Sequence, residues 1–223
     1  MPIEENSEMS GRRGRVLVVG GTGYLGQHVL QAFTHFDLAF THFSNHPPRY
    51  LLHNALAFHV DLRTGQGFQA ISDTFGQPDV VVNCAALSVP RVCEADPDAA
   101  MSINVPSSLV NWLLIYEGLK SFYKEEDEAV PVNVYGKSKV AAEQFITEKC
   151  SNFAVLRSSI IFGPQTISPV PKSLPIQWID SVLSKGNAVD FFHDEFRCPV
   201  YVKDVVSIIL ALSEKWISAE RIR

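Results

Sequence analysis

Short apolar runs alternate with helically spaced apolar residues in the first part of the chain. Because parallel strands are buried on both faces, their sequences are continuous apolar runs rather than alternating apolar and polar residues. The order of the segments is therefore typical of an α/β protein with a Rossmann-like, doubly wound parallel sheet. The predicted strands are Arg15–Val19, Leu38–Phe43, Ala57–Val60 and Asp79–Asn83, with helices at Tyr24–Thr34 and Thr64–Phe75 between them.

In the second part of the chain the sequence predicts longer helices, followed by a proline-rich irregular segment. Helical spacing covers Asp96–Leu114 and Tyr135–Lys149, and a strand is expected at Phe153–Arg157. Four prolines between positions 164 and 175 indicate an irregular loop after Gly163. Beyond this loop we expect a helix, a short strand and a last helix, at Ile176–Lys185, Ala188–Phe192 and Asp204–Trp216.

Composition and charge narrow the class of protein. Hydrophobic residues make up 46% of the 223 residues and charged residues 19%, which excludes wholesale disorder. The net charge of −5 argues against a non-specific nucleic-acid binder. No apolar run approaches the ~18 residues of a membrane span, and the polar segment 1–14 does not resemble a secretory signal. We expect a cytoplasmic protein.

The cysteines and histidines predict neither a disulfide framework nor a metal site. Cys84, Cys93, Cys150 and Cys198 form no Cys-x-x-Cys pair, and no histidine spacing matches a set of metal ligands. Free thiols in a reducing compartment are the simplest expectation.

A glycine-rich turn follows the first predicted strand and opens the first helix. It reads Val-Gly-Gly-Thr-Gly-Tyr-Leu-Gly and satisfies Gly-x-Gly-x-x-Gly at Gly21, Gly23 and Gly26. Such a turn lets a pyrophosphate approach the backbone, and the helix N-terminus offers it N–H groups and a positive dipole end. The strand–turn–helix context predicts dinucleotide binding. The simpler alternative is a glycine turn without a ligand.

The end of the second strand should select the cofactor. NAD-binding proteins place an acid there for the ribose hydroxyls, but this chain reads His-Phe-Ser-Asn-His from position 42, with Arg49 beyond. Because no acid would repel a 2′-phosphate and Arg49 could pair with it, the sequence favours NADP(H) over NAD(H). Asp61 is placed to accept from the adenine amine. The predicted cofactor-binding residues are Gly20, Thr22, Gly23, Tyr24, Leu25, Gly26, Ser44, Arg49, Asp61, Leu62, Ala85, Ala86, Tyr135 and Lys139.

Tyr135 and Lys139 form a Tyr-x-x-x-Lys motif on a predicted helix. Residues four apart share a helix face, so we expect the ammonium to lower the pKa of the phenol. Such a phenol can donate a proton to a carbonyl during hydride transfer. The motif is common by chance, and the upstream glycine turn and Asn-Cys-Ala-Ala strand end at positions 83–86 make it more specific.

With these motifs in place, the chain resembles the extended short-chain dehydrogenase/reductases. It is most similar to the dTDP-4-dehydrorhamnose reductase (RmlD-like) group, on the branch of the methionine adenosyltransferase regulatory beta subunits. The matching stretches include VLVVGGTGYLGQHV, DVVVNCAALS, AVLRSSIIFG and FRCPVYVKDV. The resemblance implies that the glycine turn, the end of strand two and Ala85–Ala86 hold the dinucleotide, and that Tyr135 and Lys139 are the catalytic pair. Because segment 1–14 is polar, we expect it to be a disordered tail, and the resemblance implies a NAD(P)-binding domain at 15–163 and a partial substrate-binding lobe at 164–223.

One family element is missing from the sequence. Relatives carry a central strand whose terminal hydroxyl binds the substrate carbonyl, but here Trp112–Leu114 runs directly into Ile115–Gly118. A gap of about five unpaired residues would cost roughly 5–15 kcal/mol. Three outcomes stay open: Leu113–Tyr116 replaces the strand, the flanking strands pair directly, or the chain is unstable.

These observations leave three functions open. The chain could be a non-catalytic, NADP(H)-binding regulatory subunit that associates with a methionine adenosyltransferase catalytic subunit in S-adenosylmethionine biosynthesis. It could be a weakly active NADPH-dependent reductase of a 4-keto sugar nucleotide. It could also be a truncated isoform without activity.

Overall fold

The computed structural model describes residues 12–113, 131–170, 174–186, 188–191, 193 and 198–220. The strands are β1 (Arg15–Val19), β2 (Asp37–His42), β3 (Ala55–His59), β4 (Val80–Asn83), β5 (Ile161–Phe162) and β6 (Val200–Tyr201). The helices of the first part are α1 (Tyr24–Ala32), α2 (Arg49–Leu52), α3 (Phe68–Thr74), α4 (Pro90–Ala95), α5 (Pro97–Asn104) and α6 (Ser107–Leu113). Those of the second part are α7 (Val134–Lys149), α8 (Pro175–Ser184) and α9 (Val202–Glu220).

The main sheet is parallel and has the strand order β3-β2-β1-β4. Val16 on β1 lies opposite Leu38 on β2 and Val80 on β4. The four strands predicted from apolar runs are therefore confirmed, within a few residues at their ends. Because parallel strands end on the same edge of a sheet, the residues after β1, β2, β3 and β4 come together.

Two apolar layers enclose β1 and β2. Alternate residues of a strand point to opposite faces of the sheet, so Val16 and Val18 pack in one cluster with helices α1 and α9. Leu17 and Val19 pack in the other cluster, against Phe68 and neighbouring residues of α3. All four β1 valines and leucines are completely buried. Two-sided burial explains why β1 is a continuous apolar run.

Pro106 divides the helix that was predicted for Asp96–Leu114. A proline disfavours helical backbone at the residue before it, and Val105 is extended, with φ −80° and ψ 112°. The chain therefore forms α5 and α6 as separate helices.

The strands predicted at Phe153–Arg157 and Ala188–Phe192 are wrong for the residues that the structure describes. Residues 153–160 and 188–191 are in no strand, because a strand requires a ladder partner and, within the described ranges, β4 pairs with β1 alone. Val155 and Leu156 are exposed as a result. Direct pairing of β4 with the 153–157 segment is thus also wrong. Of the segment Leu113–Tyr116, which was a candidate to replace the missing strand, Leu113 is the last residue of α6 and residues 114–116 lie outside the described residues.

The proline-rich loop after β5 is attached to α1 by side chains. The Tyr24 hydroxyl donates to the Pro164 carbonyl (2.9 Å), and His28 Nε2 lies 3.2 Å from the same oxygen. Gln27 Nε2 donates to the carbonyls of Thr22 and Ser168, both at 3.1 Å. Gln27 is 2% exposed, so it is a buried link between the glycine turn and the proline-rich loop.

None of the helices that the structure describes combines the length and the apolar character that crossing a membrane requires.

Candidate functional site

The glycine turn connects β1 to α1 in a conformation that side chains would obstruct. Gly20 has φ 77°, and a Cβ there would lie 2.9 Å from backbone atoms of Ala85. A Cβ on Gly26 would lie 2.8 Å from the Cα of Gly21 and would also meet the Gly20 carbonyl oxygen. The two glycines therefore permit close approach of the turn to the Ala85 loop and of α1 to the turn.

Gly23 is the N-cap of α1 and provides no side-chain hydrogen bond to the first turn. The first N–H groups of a helix have no partner within the helix. In α1 these groups stand at the end of β1, beside the glycine turn. Together with the helix dipole they suit an anionic group such as a phosphate.

Thr41 fixes the turn against the neighbouring strand. Its hydroxyl oxygen accepts from the Gly20 N–H (3.0 Å), and its carbonyl accepts from the Gly21 N–H (2.9 Å). Thr41 is 3% exposed. Sequence reasoning missed this residue, although a hydroxyl inside an otherwise apolar β2 run was the available signal.

An open cleft runs along the carboxyl edge of the sheet. Eight of the predicted cofactor-binding residues line it, namely Gly20, Thr22, Gly23, Ser44, Asp61, Leu62, Ala85 and Ala86. The lining also includes residues that sequence reasoning did not select: Thr41, His42, Phe43, Asn45, Val60, Arg63, Cys84, Leu87 and Ile103. The ends of four consecutive parallel strands thus converge on one cleft.

Several predicted residues lie beside this lining. Tyr24, Leu25 and Gly26 form the first turn of α1, and the Tyr24 ring is turned toward the Pro164 carbonyl. Arg49 begins α2, is exposed, and is outside the residues that line the cleft.

Asp61 and Arg63 form an ion pair at the end of β3. Arg63 Nε and Nη2 donate to the two carboxylate oxygens of Asp61, at 3.0 and 2.7 Å. The hydrogen bond from Arg63 holds the pKa of Asp61 below its ordinary value. The Arg63 guanidinium also lies over the Phe43 ring, with its carbon 5.3 Å from the ring centroid. Sequence reasoning selected Asp61 and missed Arg63.

Tyr135 and Lys139 lie together on α7, as predicted from their spacing. Asn133 caps this helix, because its side-chain oxygen accepts from the Gly136 N–H at 2.7 Å. Lys139 Nζ lies over the Tyr135 ring, 5.7 Å from its centroid. The ammonium is therefore placed at the face of the ring.

The expected lowering of the Tyr135 pKa is wrong. Burial raises the pKa of Tyr135, and the neighbouring Cys93 thiol adds to this rise. Burial also lowers the pKa of Lys139, because an apolar environment disfavours the charged form of either group. Burial therefore disfavours both the phenolate form of Tyr135 and the ammonium form of Lys139.

A buried amide connects the cleft to α7. Asn104 Oδ1 accepts from the Leu87 N–H (2.7 Å), and Asn104 Nδ2 donates to the Leu87 carbonyl (3.0 Å) and to the Ser138 hydroxyl (2.8 Å). Ser138 donates in turn to the Tyr135 carbonyl at 2.8 Å. Asn104 and Ser138 are 4% and 0% exposed. These polar contacts therefore fix the position of the Leu87 segment, which lines the cleft, relative to the turn of α7 that carries Tyr135.

Two family models match overlapping parts of the chain. Residues 16–124 match the NAD dependent epimerase/dehydratase family, and residues 114–222 match the RmlD substrate binding domain.

Curated relatives and solved structures agree with these matches. Methionine adenosyltransferase 2 subunit beta from Pongo abelii is 32% identical over 96% of this chain, and its homologue from Danio rerio is 30% identical over 94%. The chain spans 65% and 66% of the lengths of these relatives. A UDP-glucose 4-epimerase from Thermotoga maritima is similar in fold, with TM-score 0.70 and 23% identity, covering 86% of this chain and 71% of the epimerase. A dTDP-4-dehydrorhamnose reductase from Bacillus anthracis, solved with NADP, has TM-score 0.67 and 19% identity, covering 91% and 71%.

Proposed function

This chain belongs to the RmlD-like group of the extended short-chain dehydrogenase/reductases, and on that premise we propose that it binds NADP(H) in the cleft at the carboxyl edge of the sheet. The observation that carries this proposal is the construction of the glycine turn. Gly20 and Gly26 stand where a Cβ would collide with backbone atoms, and the uncapped start of α1 faces the same space.

The cleft offers complementary groups for each part of a dinucleotide. The glycine turn and the first N–H groups of α1 suit the pyrophosphate. Asp61 remains ionised because of its ion pair, so it can accept from an adenine amine. The lining contains no acid at the end of β2, where His42, Phe43 and Ser44 stand, and this supports NADP(H) over NAD(H).

The pyrophosphate position can be tested at Gly23, whose backbone is extended (φ −75°, ψ 169°), a conformation that does not require glycine. Aspartate and serine are both favourable helix N-caps, so Gly23→Asp and Gly23→Ser should leave the chain folded. A Cβ at this position would lie 3.2 Å from the Gly20 carbonyl oxygen in either variant. The pair therefore differs mainly in the carboxylate.

We expect Gly23→Asp to weaken NADPH binding at least about tenfold, because a fixed negative charge would adjoin the pyrophosphate. Gly23→Ser should lose much less. The measurement is a fluorescence or calorimetric titration of the purified full chain, with melting temperatures recorded for both variants. Equal affinities for the two folded variants, or no binding by the unaltered chain, would contradict the proposal.

The biological role that we propose is regulatory: the chain associates with a methionine adenosyltransferase catalytic subunit and modulates S-adenosylmethionine synthesis. Similarity to the beta subunits supports this role. Burial also raises the pKa of Tyr135, which makes the phenol a weaker acid, and lowers the pKa of Lys139, which disfavours its ammonium form. Both shifts count against catalysis by this pair. Sedimentation velocity of the two purified chains at micromolar concentration should reveal a complex, and its absence would contradict the regulatory role.

The second candidate is a reductase of a 4-keto sugar nucleotide, favoured by the adjacency of Tyr135 and Lys139 on one face of α7. NADPH would supply the hydride, and the neutral Tyr135 hydroxyl would donate a proton to the substrate oxygen. NADPH oxidation with dTDP-4-dehydrorhamnose distinguishes the roles. The reductase predicts turnover that Tyr135→Phe abolishes, whereas the regulatory subunit predicts no turnover above that of the variant.

A further inference from the structure

We infer that Arg63, held in place by Asp61 and Phe43, recognises the 2′-phosphate of NADP(H) and so determines the preference for this cofactor. The inference rests on the nucleotide binding proposed above. It replaces Arg49, which the sequence suggested for this task.

Two contacts fix the planar Arg63 guanidinium, because Asp61 binds one edge of the plane and the Phe43 ring lies against one face. Nε and Nη2 donate to Asp61 at 3.0 and 2.7 Å, and the guanidinium lies over the Phe43 ring. The Phe43 ring is itself packed against His59, with centroids 5.3 Å apart. Among the described residues, no hydrogen bond is made by the remaining terminal nitrogen, Nη1. The Arg63 side chain is 46% exposed, so it is held in one orientation while part of it faces the cleft.

The strand register places Arg63 beside the expected position of the ribose. His42, the last residue of β2, lies opposite His59, the last residue of β3. The residues that follow, Phe43–Ser44 on one strand and Asp61–Arg63 on the other, line the same end of the cleft. In dinucleotide-binding sheets the ribose 2′-hydroxyl lies at the end of the second strand. A phosphate on that hydroxyl would adjoin Ser44 and the free edge of Arg63.

The chemistry of an arginine suits this task. A guanidinium forms short, charge-assisted hydrogen bonds with phosphate oxygens, and it also stacks on aromatic rings. The negative charge of Asp61 would repel a phosphate, but the bidentate contact with Arg63 offsets it. Asp61 thus orients the arginine and remains an acceptor for the adenine.

Arg49 is less well placed. It follows Pro47 and Pro48, starts α2, and is exposed outside the cleft lining. Removing the same charge at positions 49 and 63 therefore gives a direct comparison between the two arginines.

The experiment is a titration of the full chain with NADPH and with NADH, on the unaltered protein, Arg63→Gln, Arg63→Lys and Arg49→Gln. Lys149→Gln, at the far end of α7, is a control for net charge. A pH of about 8 keeps histidines uncharged, since their ordinary pKa is about 6.5. This matters because the His42 side chain lines the same end of the cleft, and burial lowers the pKa of His42 further. Melting temperatures establish that each variant is folded.

We expect Arg63→Gln to weaken NADPH binding about 10- to 100-fold, the range for a hydrogen bond to a charged group. Its affinity for NADH should stay within about twofold, as should the affinity of Arg49→Gln and Lys149→Gln for both nucleotides. Arg63→Lys should retain part of the NADPH preference, because it keeps the charge and loses the fork of donors. The dependence of NADPH affinity on salt should also decrease in Arg63→Gln.

Other outcomes would overturn the inference. Equal losses for NADPH and NADH in Arg63→Gln would mean that the arginine only supports Asp61. A selective loss in Arg49→Gln would return the task to that residue. Both results leave nucleotide binding intact, whereas an unaltered chain that binds neither nucleotide contradicts the proposed function as well.

Discussion

The glycine-turn side of the molecule lines the cleft and the Tyr135–Lys139 side does not, and the two sides are built by different means. On the first side, every residue of β1 from Val16 to Val19 is completely buried. On the second side, Val80, Val81 and Val82 of β4 are only partly buried, and α7 buries only Ser138 and Ala142. Apolar packing thus holds the glycine turn, while capping and the Asn104–Ser138 hydrogen bonds hold the tyrosine.

This difference explains why the two sides support different functional conclusions. A phosphate-binding turn needs only the β1–α1 connection, Thr41 and the neighbouring strand ends, which all lie in the packed region. Proton donation by Tyr135 needs a stable arrangement of α7 against β4. The described residues provide few apolar contacts there.

The largest expected difference between the two sides is in the free energy of unfolding that is lost when a large apolar side chain is replaced by alanine. Phe40 is completely buried in β2, so Phe40→Ala should reduce the free energy of unfolding by about 3–5 kcal/mol. Leu156 is 46% exposed, so Leu156→Ala should change it by less than about 0.5 kcal/mol. Urea denaturation of both variants is the measurement. Similar losses would mean that the 153–160 segment is packed as firmly as β2.

Glycine substitutions in α1 and α7 should differ in effect, because the N-cap of α1 lines the cleft and α7 contributes none of the lining residues. In Gly26→Ala the new methyl group meets the backbone of Gly20 and Gly21, which cannot move without opening the turn. We expect a loss of about 1–3 kcal/mol in unfolding free energy together with weaker NADPH binding.

Gly136→Ala is the matched substitution on α7. Its nearest new contact is Pro131 Cβ at 3.1 Å, and alanine favours a helix by up to about 1 kcal/mol. The net change should stay within about 1 kcal/mol, without an effect on NADPH affinity. A larger effect at position 136 than at position 26 in the same denaturation series would contradict this assignment.

The polar connection between the cleft and α7 can be broken at Asn104. Asn104→Ala leaves the Leu87 N–H without its acceptor and removes a partner of Ser138. An unsatisfied buried group costs about 1–3 kcal/mol, and relative to the unaltered chain we expect Asn104→Ala to accelerate hydrogen exchange more in α7 than in β1. Ser102→Ala, in the same helix α5 but exposed, is the control and should have little effect. An equal acceleration of exchange in both regions on going to Asn104→Ala would argue against a specific connection.

The smallest predicted effect is on pH dependence. Burial lowers the pKa of His28, more than the Pro164 carbonyl raises it. The unfolded chain therefore takes up the proton first, so this contribution is complete above the unfolded pKa and is lost as the pH falls below about 6.5. His28→Gln should flatten the decrease in stability between about pH 7 and pH 5. The measurement is urea denaturation of both chains across this pH range, and equal slopes for His28→Gln and the unaltered chain would refute the assignment.

Sequence patterns predicted the packed side best. The strands β1, β2, β3 and β4, predicted from apolar runs, are confirmed because a strand buried on both faces requires apolar residues along its length. The strand predicted at Phe153–Arg157 failed because a strand also depends on a partner, which local sequence does not specify. Arg63 was missed for a similar reason, since its contacts with Asp61 and Phe43 join the ends of two strands. The rise in the Tyr135 pKa depends on burial, which the motif alone does not reveal.

Hydrogen exchange of the full chain, with and without saturating NADPH, tests the central claim most directly. We predict that amides of residues 16–30 exchange more slowly than those of α7 without nucleotide. NADPH should add protection to residues 20–26 and to the Asp61–Arg63 segment. Equal exchange in the two regions, with no change at residues 20–26 on adding NADPH, would contradict both the structural comparison and nucleotide binding in this cleft.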